Sequence, residues 1–418
     1  MTRVHAHDEL IPPSRRQARA VLLLGTLIFF AFGYSFLSLP AVAPSLLNYP
    51  PWHVTPSTLG ILASATALGQ VIGAFMGSGL SDIYGRRACI AVSVGWCSGC
   101  MLFTGLASSL IAFGVGRFLL GIGLGILLPL VSTLVVDWSR LGRRSLYCGV
   151  ALSAIQLGGL AAISASHIFL AGREFHWVFL VGVLPILLVP VCLTLIPVAE
   201  PSEASLPDRA TRRNSHVVSS EWWGLFEPGW LASSILFCIA SFVGLLLIFG
   251  ASSWLPTLMV HAGYDQHSTF EFVLAFYFGA AGITLIFSMI ADWVPIKLCV
   301  FTLFLCAAVA MRTLTMHEGY LAMVGTVALC GGGVVGAQSV IISYVARYYP
   351  YQMRNTALSF VVGIGYCGSI IGPTYLSFLD GLKSDPAAGF SSFVALAMVG
   401  AVAIFLIPRG RSERSLTD

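Results

Sequence analysis

Apolar segments of about twenty residues recur from one end of the chain to the other, each closed by a short polar stretch. They fall near 20–40, 57–78, 88–107, 110–136, 146–169 and 176–197. After a polar stretch over 198–228, six more lie near 229–253, 269–290, 297–315, 319–345, 356–378 and 389–407. At the helical rise of about 1.5 Å per residue, such a segment crosses the roughly 30 Å hydrocarbon layer of a bilayer. The pattern predicts an all-α membrane protein with twelve transmembrane helices in two pseudo-symmetric six-helix bundles. A tail over 1–19 precedes a bundle over 20–197, a linker over 198–228 joins it to a second bundle over 229–407, and 408–418 form a closing tail.

Composition supports a lipid surround. Of 418 residues, 57% are hydrophobic and only 10% charged, and mean hydropathy is +0.87. No water-soluble fold hides that much apolar surface. The run Val21–Leu39 is too long for a signal-peptide core, although Ala41-Val42-Ala43 resembles a cleavage site. Ten cysteines fall almost entirely inside apolar runs. Cys97 and Cys100 form a C-x-x-C on a spanning helix with no His or second pair nearby, so they read as small packing residues and neither metal nor cofactor is expected. No basic stripe stands outside the loops, which argues against nucleic acid. The spans also lack paired carboxylates, a metal-ligand cluster or a Ser/His set, so an enzyme is not expected.

Charge placement sets the topology. With both termini inside, eighteen of the 22 Lys and Arg fall on inner segments and three on outer loops (Arg173, Arg312 and Lys383). That bias predicts cytoplasmic termini and a multi-pass protein of a bacterial inner membrane. The halves also repeat at a fixed offset: Asp82 and Asp292 lie 210 residues apart, as do Arg144 and Arg354, and Gly121 and Gly331. Duplicated bundles of this kind place a substrate site between the halves near the midplane.

None of the Asp and Glu falls in the middle of a span, whereas Arg117 lies deep in one. An intramembrane Arg is costly and marks either a functional site or a structural network of carbonyls and polar groups. The tight polar turn Gly77-Ser78-Gly79-Leu80-Ser81-Asp82-Ile83-Tyr84-Gly85-Arg86-Arg87 resembles the G-x-L-x-D-x-x-G-R-R loop of the major facilitator superfamily of secondary transporters. Gly116-Arg117 through Gly121 and Gly123 is similar to that superfamily's fourth-helix pattern. The resemblance implies an inner gate built from Gly79, Asp82, Gly85, Arg86, Arg87, Asp137, Arg144, Asp292 and Arg354. Asp82 would accept hydrogen bonds at the N-terminus of the eleventh helix, and Asp137 would pair with Arg86 or Arg87.

Later stretches resemble the aromatic acid:proton symporters within that superfamily: Ser253-Trp254-Leu255-Pro256, Gly332-Gly333-Val334-Val335-Gly336-Ala337-Gln338-Ser339, and Gly363-Ile364-Gly365 before Gly372-Pro373. That resemblance implies secondary transport of an aromatic or other carboxylic acid by alternating access, with protons as coupling partner, in a monomer. Two departures stand out. The family's first-helix D-G-x-D is here Phe32-Gly33-Tyr34-Ser35, and its eleventh-helix Arg is Tyr366. Phe and Ser cannot carry a proton in this pH range. The expected substrate contacts are Phe32, Tyr34, Ser35, Arg117, Gln156, Trp254, Gln338, Ser339 and Tyr366. Three alternatives stay open: an uncoupled facilitator, a drug exporter, and a non-transporting sensor. Gly158-Gly159-Leu160-Ala161 lacks the fifth-helix proline usual in exporters.

Overall fold

The computed structural model describes residues 15–140, 142–170, 175–196, 224–261, 266–314, 319–378 and 386–408. These form α1 (Arg15–Leu47), α2 (Pro56–Tyr84), α3 (Arg86–Gly105), α4 (Leu110–Asp137), α5 (Arg144–Leu170) and α6 (His176–Leu195), then α7 (Leu231–His261), α8 (Gln266–Ile290), α9 (Ile296–Thr313), α10 (Tyr320–Tyr348), α11 (Arg354–Phe378) and α12 (Pro386–Leu406). Eleven are long and apolar enough to cross a bilayer, and α12 adds the apolar stretch Ser391–Leu406. Most of the expected linker, the first fourteen residues and the last ten lie outside the described residues.

Local chemistry explains the element ends. Thr55 caps α2 by accepting from the Thr58 N–H at 3.2 Å, with Pro56 at the first helical position. Ser109 caps α4 in the same way through Ala112. Between α2 and α3 the turn is a single residue, Gly85, at φ 82, a conformation that favours glycine. The α6 span is broken into His176–Val181, a 3-10 turn over Leu184–Leu187, and Leu188–Leu195. Pro185 has no N–H to offer the Val181 carbonyl one turn back, which stops the first piece. At the other extreme, α1 starts at Arg15 and not near residue 20, so Arg15, Arg16 and Arg19 ride on the helix itself.

The two halves pack alike. In the first, α1 lies on α5 and α2 on α4; in the second, α7 lies on α11 and α8 on α10. Lipid gives helices no hydrophobic drive to associate, so close approach must supply the attraction. The α1–α5 crossing shows how: a Cβ on Gly33 would overlap the Ile155 carbonyl, and one on Gly158 the Phe30 carbonyl. Large apolar side chains such as Ile61, Val92, Ile111, Leu321 and Phe405 point outward, as expected where the solvent is lipid. The halves meet chiefly where α2 packs on α11 and α5 on α8.

Candidate functional site

Charged residues from both halves converge at the Arg-rich end of the seam. Asp137, the last residue of α4, accepts from Arg86 Nη1 on Oδ2 at 2.6 Å and from Arg354 Nη1 on Oδ1. Its side chain is 2% exposed, with Arg86 at 10% and Arg354 at 9%. Arg354 opens α11, so this bond ties the first half to the second. Arg144 lies in the electrostatic reach of Asp137, Arg354 and Arg347. Gly79 has open space around it, and Arg87 is half-buried.

A second tie lies on the opposite flank. Asp292, just after α8, accepts from the Ser145 and Leu146 N–H groups at 2.9 Å each. These belong to the first turn of α5, where unpaired N–H groups and the helix dipole favour an anion. Arg347 completes the cluster, donating to Ser145 Oγ at 2.6 Å, to the Ala291 carbonyl at 3.1 Å and to Asp292 at 3.4 Å. A capping arrangement of the kind expected at Asp82 is present at its repeat partner Asp292. Sequence reasoning missed Arg347. The signal was available: Arg347 stands 210 residues after Asp137, so the repeat reverses charge at this position.

Within the spans the expected substrate contacts divide. Arg117 is 1% exposed and is held by α1: Nη1 donates to the Ser35 carbonyl at 3.0 Å and Ser38 Oγ at 3.2 Å, and Nη2 to the Phe36 carbonyl at 3.1 Å. Two helix carbonyls and a hydroxyl hold the guanidinium against α1 in this conformation, while its Nε is buried without a hydrogen-bond partner. Tyr34 is likewise committed, donating to the Val178 carbonyl at 2.8 Å. Phe32 and Ser35 line a void of about 10 Å³ shared with Val94, Cys97 and Leu124, all from the first half and room for about one water. Of the run 32–36, Phe36 crosses the seam: its ring stands 5.5 Å from that of Phe249 on α7, edge to face.

In the second half Trp254 Nε1 donates to the Pro373 carbonyl at 2.9 Å, locking α7 to α11. Gln338 donates to Ser241 Oγ at 3.0 Å, yet its Oε1 is buried without a partner, as is the Tyr366 hydroxyl. Ser339 is buried beside Gln338, and Gln156 is half-buried on α5. Gln156 and Tyr366 are themselves 210 residues apart. Gln70 on α2, which sequence reasoning passed over, also buries an unpaired Oε1; a lone amide among the glycines and apolar residues of α2 was its signal. Buried polar atoms are almost always paired with protein, water or ligand; among the described residues Ser78, Ser98, Arg117 Nε, Ser343 and Ser359 share the unpaired state of these three. The described acids (Asp82, Asp137, Glu227, Glu271 and Asp292) all lie in loops or near helix ends.

Residues 21–373 match the sequence profile of the Major Facilitator Superfamily. The chain belongs to that superfamily: it is a multi-pass membrane transporter of a small molecule and not an enzyme. It is 29% identical over 407 residues to the gentisate transporter of Corynebacterium glutamicum, covering 95% of this chain and 89% of that one. It is 29% identical over 431 residues to the 4-hydroxybenzoate transporter PcaK of Pseudomonas putida, covering 94% and 93%. Among solved structures, the human organic anion transporter MFSD10 shares the fold at a TM-score of 0.74 with 18% identity, covering 93% of this chain and 99% of that chain.

Proposed function

We propose that this protein carries a small aromatic acid across a bacterial inner membrane by alternating access, as a monomer with both termini in the cytoplasm. The bundles over 20–197 and 229–407 rock about the seam, and the Asp137 and Asp292 clusters form the cytoplasmic closure. The observation that carries the reading is that closure itself: the Asp137–Arg354 ion pair and the Asp292–Ser145/Leu146 hydrogen bonds join the halves at one end of the seam, and the second half buries unpaired Gln338 Oε1 and Tyr366 hydroxyl groups. The ties must break for inward opening. A bound aromatic acid offers a ring to Phe36 and Phe249, a carboxylate to the Tyr366 hydroxyl, and a ring hydroxyl to the accepting Gln338 Oε1. The names of the relatives, gentisate and 4-hydroxybenzoate transporters, support the substrate class.

A second reading concerns coupling. Every described acid lies outside mid-span, and the first helix presents Phe32 and Ser35 where the aromatic acid:proton symporters that the sequence resembles carry acids, which favours uncoupled facilitation over proton symport. Uptake of labelled gentisate and 4-hydroxybenzoate into proteoliposomes, with and without an inward proton gradient, tests both readings. Equilibrating flux that ignores the gradient supports an aromatic-acid facilitator. Accumulation driven by the gradient replaces facilitation with symport. No flux for any aromatic acid tried overturns the substrate class in favour of export of other solutes or of sensing.

A further inference from the structure

A cavity of about 300 Å³ opens at the Arg-rich end of the first half, lined only by residues of that half, with Leu146 shared between its wall and the Asp292 tie. Its walls come from the first turns of α1 and from the α4–α5 connection with the first turns of α5. Four arginines line it: Arg15 and Arg19 from α1, Arg140 and Arg143 from the connection. All four are exposed. Among the described residues, none of these guanidiniums is hydrogen-bonded or paired with a carboxylate. Tyr147 adds a phenol to the wall. Leu22 and Val150, one turn farther into each span than Arg19 and Leu146, close the cavity with apolar surface.

Four unneutralised guanidiniums around one space repel one another, so the arrangement calls for an anion. Guanidinium forks match the oxygens of a phosphate, with two parallel hydrogen bonds from each. The volume falls at the lower end of small-ligand sites. The walls pass from cationic to apolar where the spans enter the hydrocarbon layer, and a molecule with a phosphate above an acyl chain meets both surfaces at once. Basic pockets between membrane helices on the cytoplasmic side suit such headgroups.

We propose that this cavity binds the phosphate of an anionic phospholipid headgroup from the membrane around the protein. A soluble phosphate shares the recognition chemistry, and the test separates the two. The full-length protein is placed in nanodiscs of phosphatidylcholine with increasing phosphatidylglycerol, and thermal stability and retained lipid are measured; inorganic phosphate is titrated separately in phosphatidylcholine alone. Phosphatidylglycerol is expected to raise the apparent melting temperature and to be retained on extraction. The pair Arg15→Gln/Arg19→Gln is expected to weaken that retention about 30-fold. Arg140→Gln/Arg143→Gln, on the opposite wall, gives an independent reading if either pair folds poorly. Arg16→Gln, which removes one charge from α1 outside the cavity, leaves retention within about twofold of wild type, whereas Arg19→Gln alone lowers it about fivefold. Equal losses from these two single variants reduce the effect to general surface charge and overturn the site. Stabilisation by inorganic phosphate without preference for phosphatidylglycerol overturns the lipid source. The readout is binding, so it stands whatever solute the seam carries.

Discussion

Asp137→Asn attacks the buried tie between the halves at its centre. The carboxylate is 2% exposed and serves Arg86 and Arg354, which are 10% and 9% exposed. The amide keeps one oxygen and turns the other acceptor into a donor facing an arginine. Two nearly buried cations then face each other, with Arg144 close by, and their counter-ion is gone. Removing one partner of a buried pair costs about 3–5 kcal/mol. The open conformation hydrates these arginines, so most of that cost falls on the closed one. Taking about 3 kcal/mol, the closed-to-open ratio drops by roughly 10²-fold. Hydrogen exchange reads this directly. Amides in the last turn of α4 and the first turns of α5 and α11 should exchange about two decades faster in the variant, with the middle of α4 unchanged. Asp82→Asn, at an exposed carboxylate, serves as the comparison and should move exchange far less. Unchanged exchange at the start of α11 in Asp137→Asn would refute the assignment of this pair as the closure.

Three further outcomes follow from the geometry. Gly149→Ala places a Cβ into the Ser288 side chain of α8, so overpacking of about 1–3 kcal/mol disfavours the closed seam; uptake should fall, and Ser288→Gly in the same chain should restore it. Tyr366→Phe removes a hydroxyl with no protein partner, so the melting temperature should hold while KM for the aromatic acid rises about tenfold; Tyr34→Phe, which breaks the bond to Val178, should do the reverse, and an identical response from both would sink the distinction. Arg117→Leu leaves two α1 carbonyls and Ser38 without their donor, costing about 1–3 kcal/mol; a variant that kept its melting temperature yet lost substrate affinity would return Arg117 to the binding site.

The twelve spans were legible because hydrocarbon thickness imposes a length that sequence must meet with apolar residues. Their ends were not: α1 gains a turn and more at each side because Arg15 and Arg19 sit comfortably on a helix once it leaves the apolar layer. The gate was half legible. Arg86, Asp137, Asp292 and Arg354 announce themselves by charge at span ends, but the ligands of Asp292 are backbone N–H groups of Ser145 and Leu146, which no side-chain pattern records. For Arg117 the sequence offered a carbonyl network as one of two readings, and which carbonyls of α1 supply it was not legible. At Phe32–Phe36 the residue types were read correctly and the rotation of α1 was not. A helix can turn by one residue without altering its composition, and that turn decides that Phe36 is the one to meet Phe249. Tyr366 was named because its position aligns with a family's binding residue and Gln338 because it stands in a stretch resembling that family's tenth helix, and Gln70 had no such guide.

The two ties of the closure differ in wetness. Arg347 is 34% exposed and stands 3.4 Å from Asp292, whereas Arg354 is sheltered with Asp137. Mobile ions screen charges that reach water and barely touch those that do not. Salt therefore weakens the Arg347–Asp292 pair, which lies within the second half, and spares the sheltered Asp137–Arg354 pair that joins the two halves. What electrolyte reaches is a buttress and not the joint.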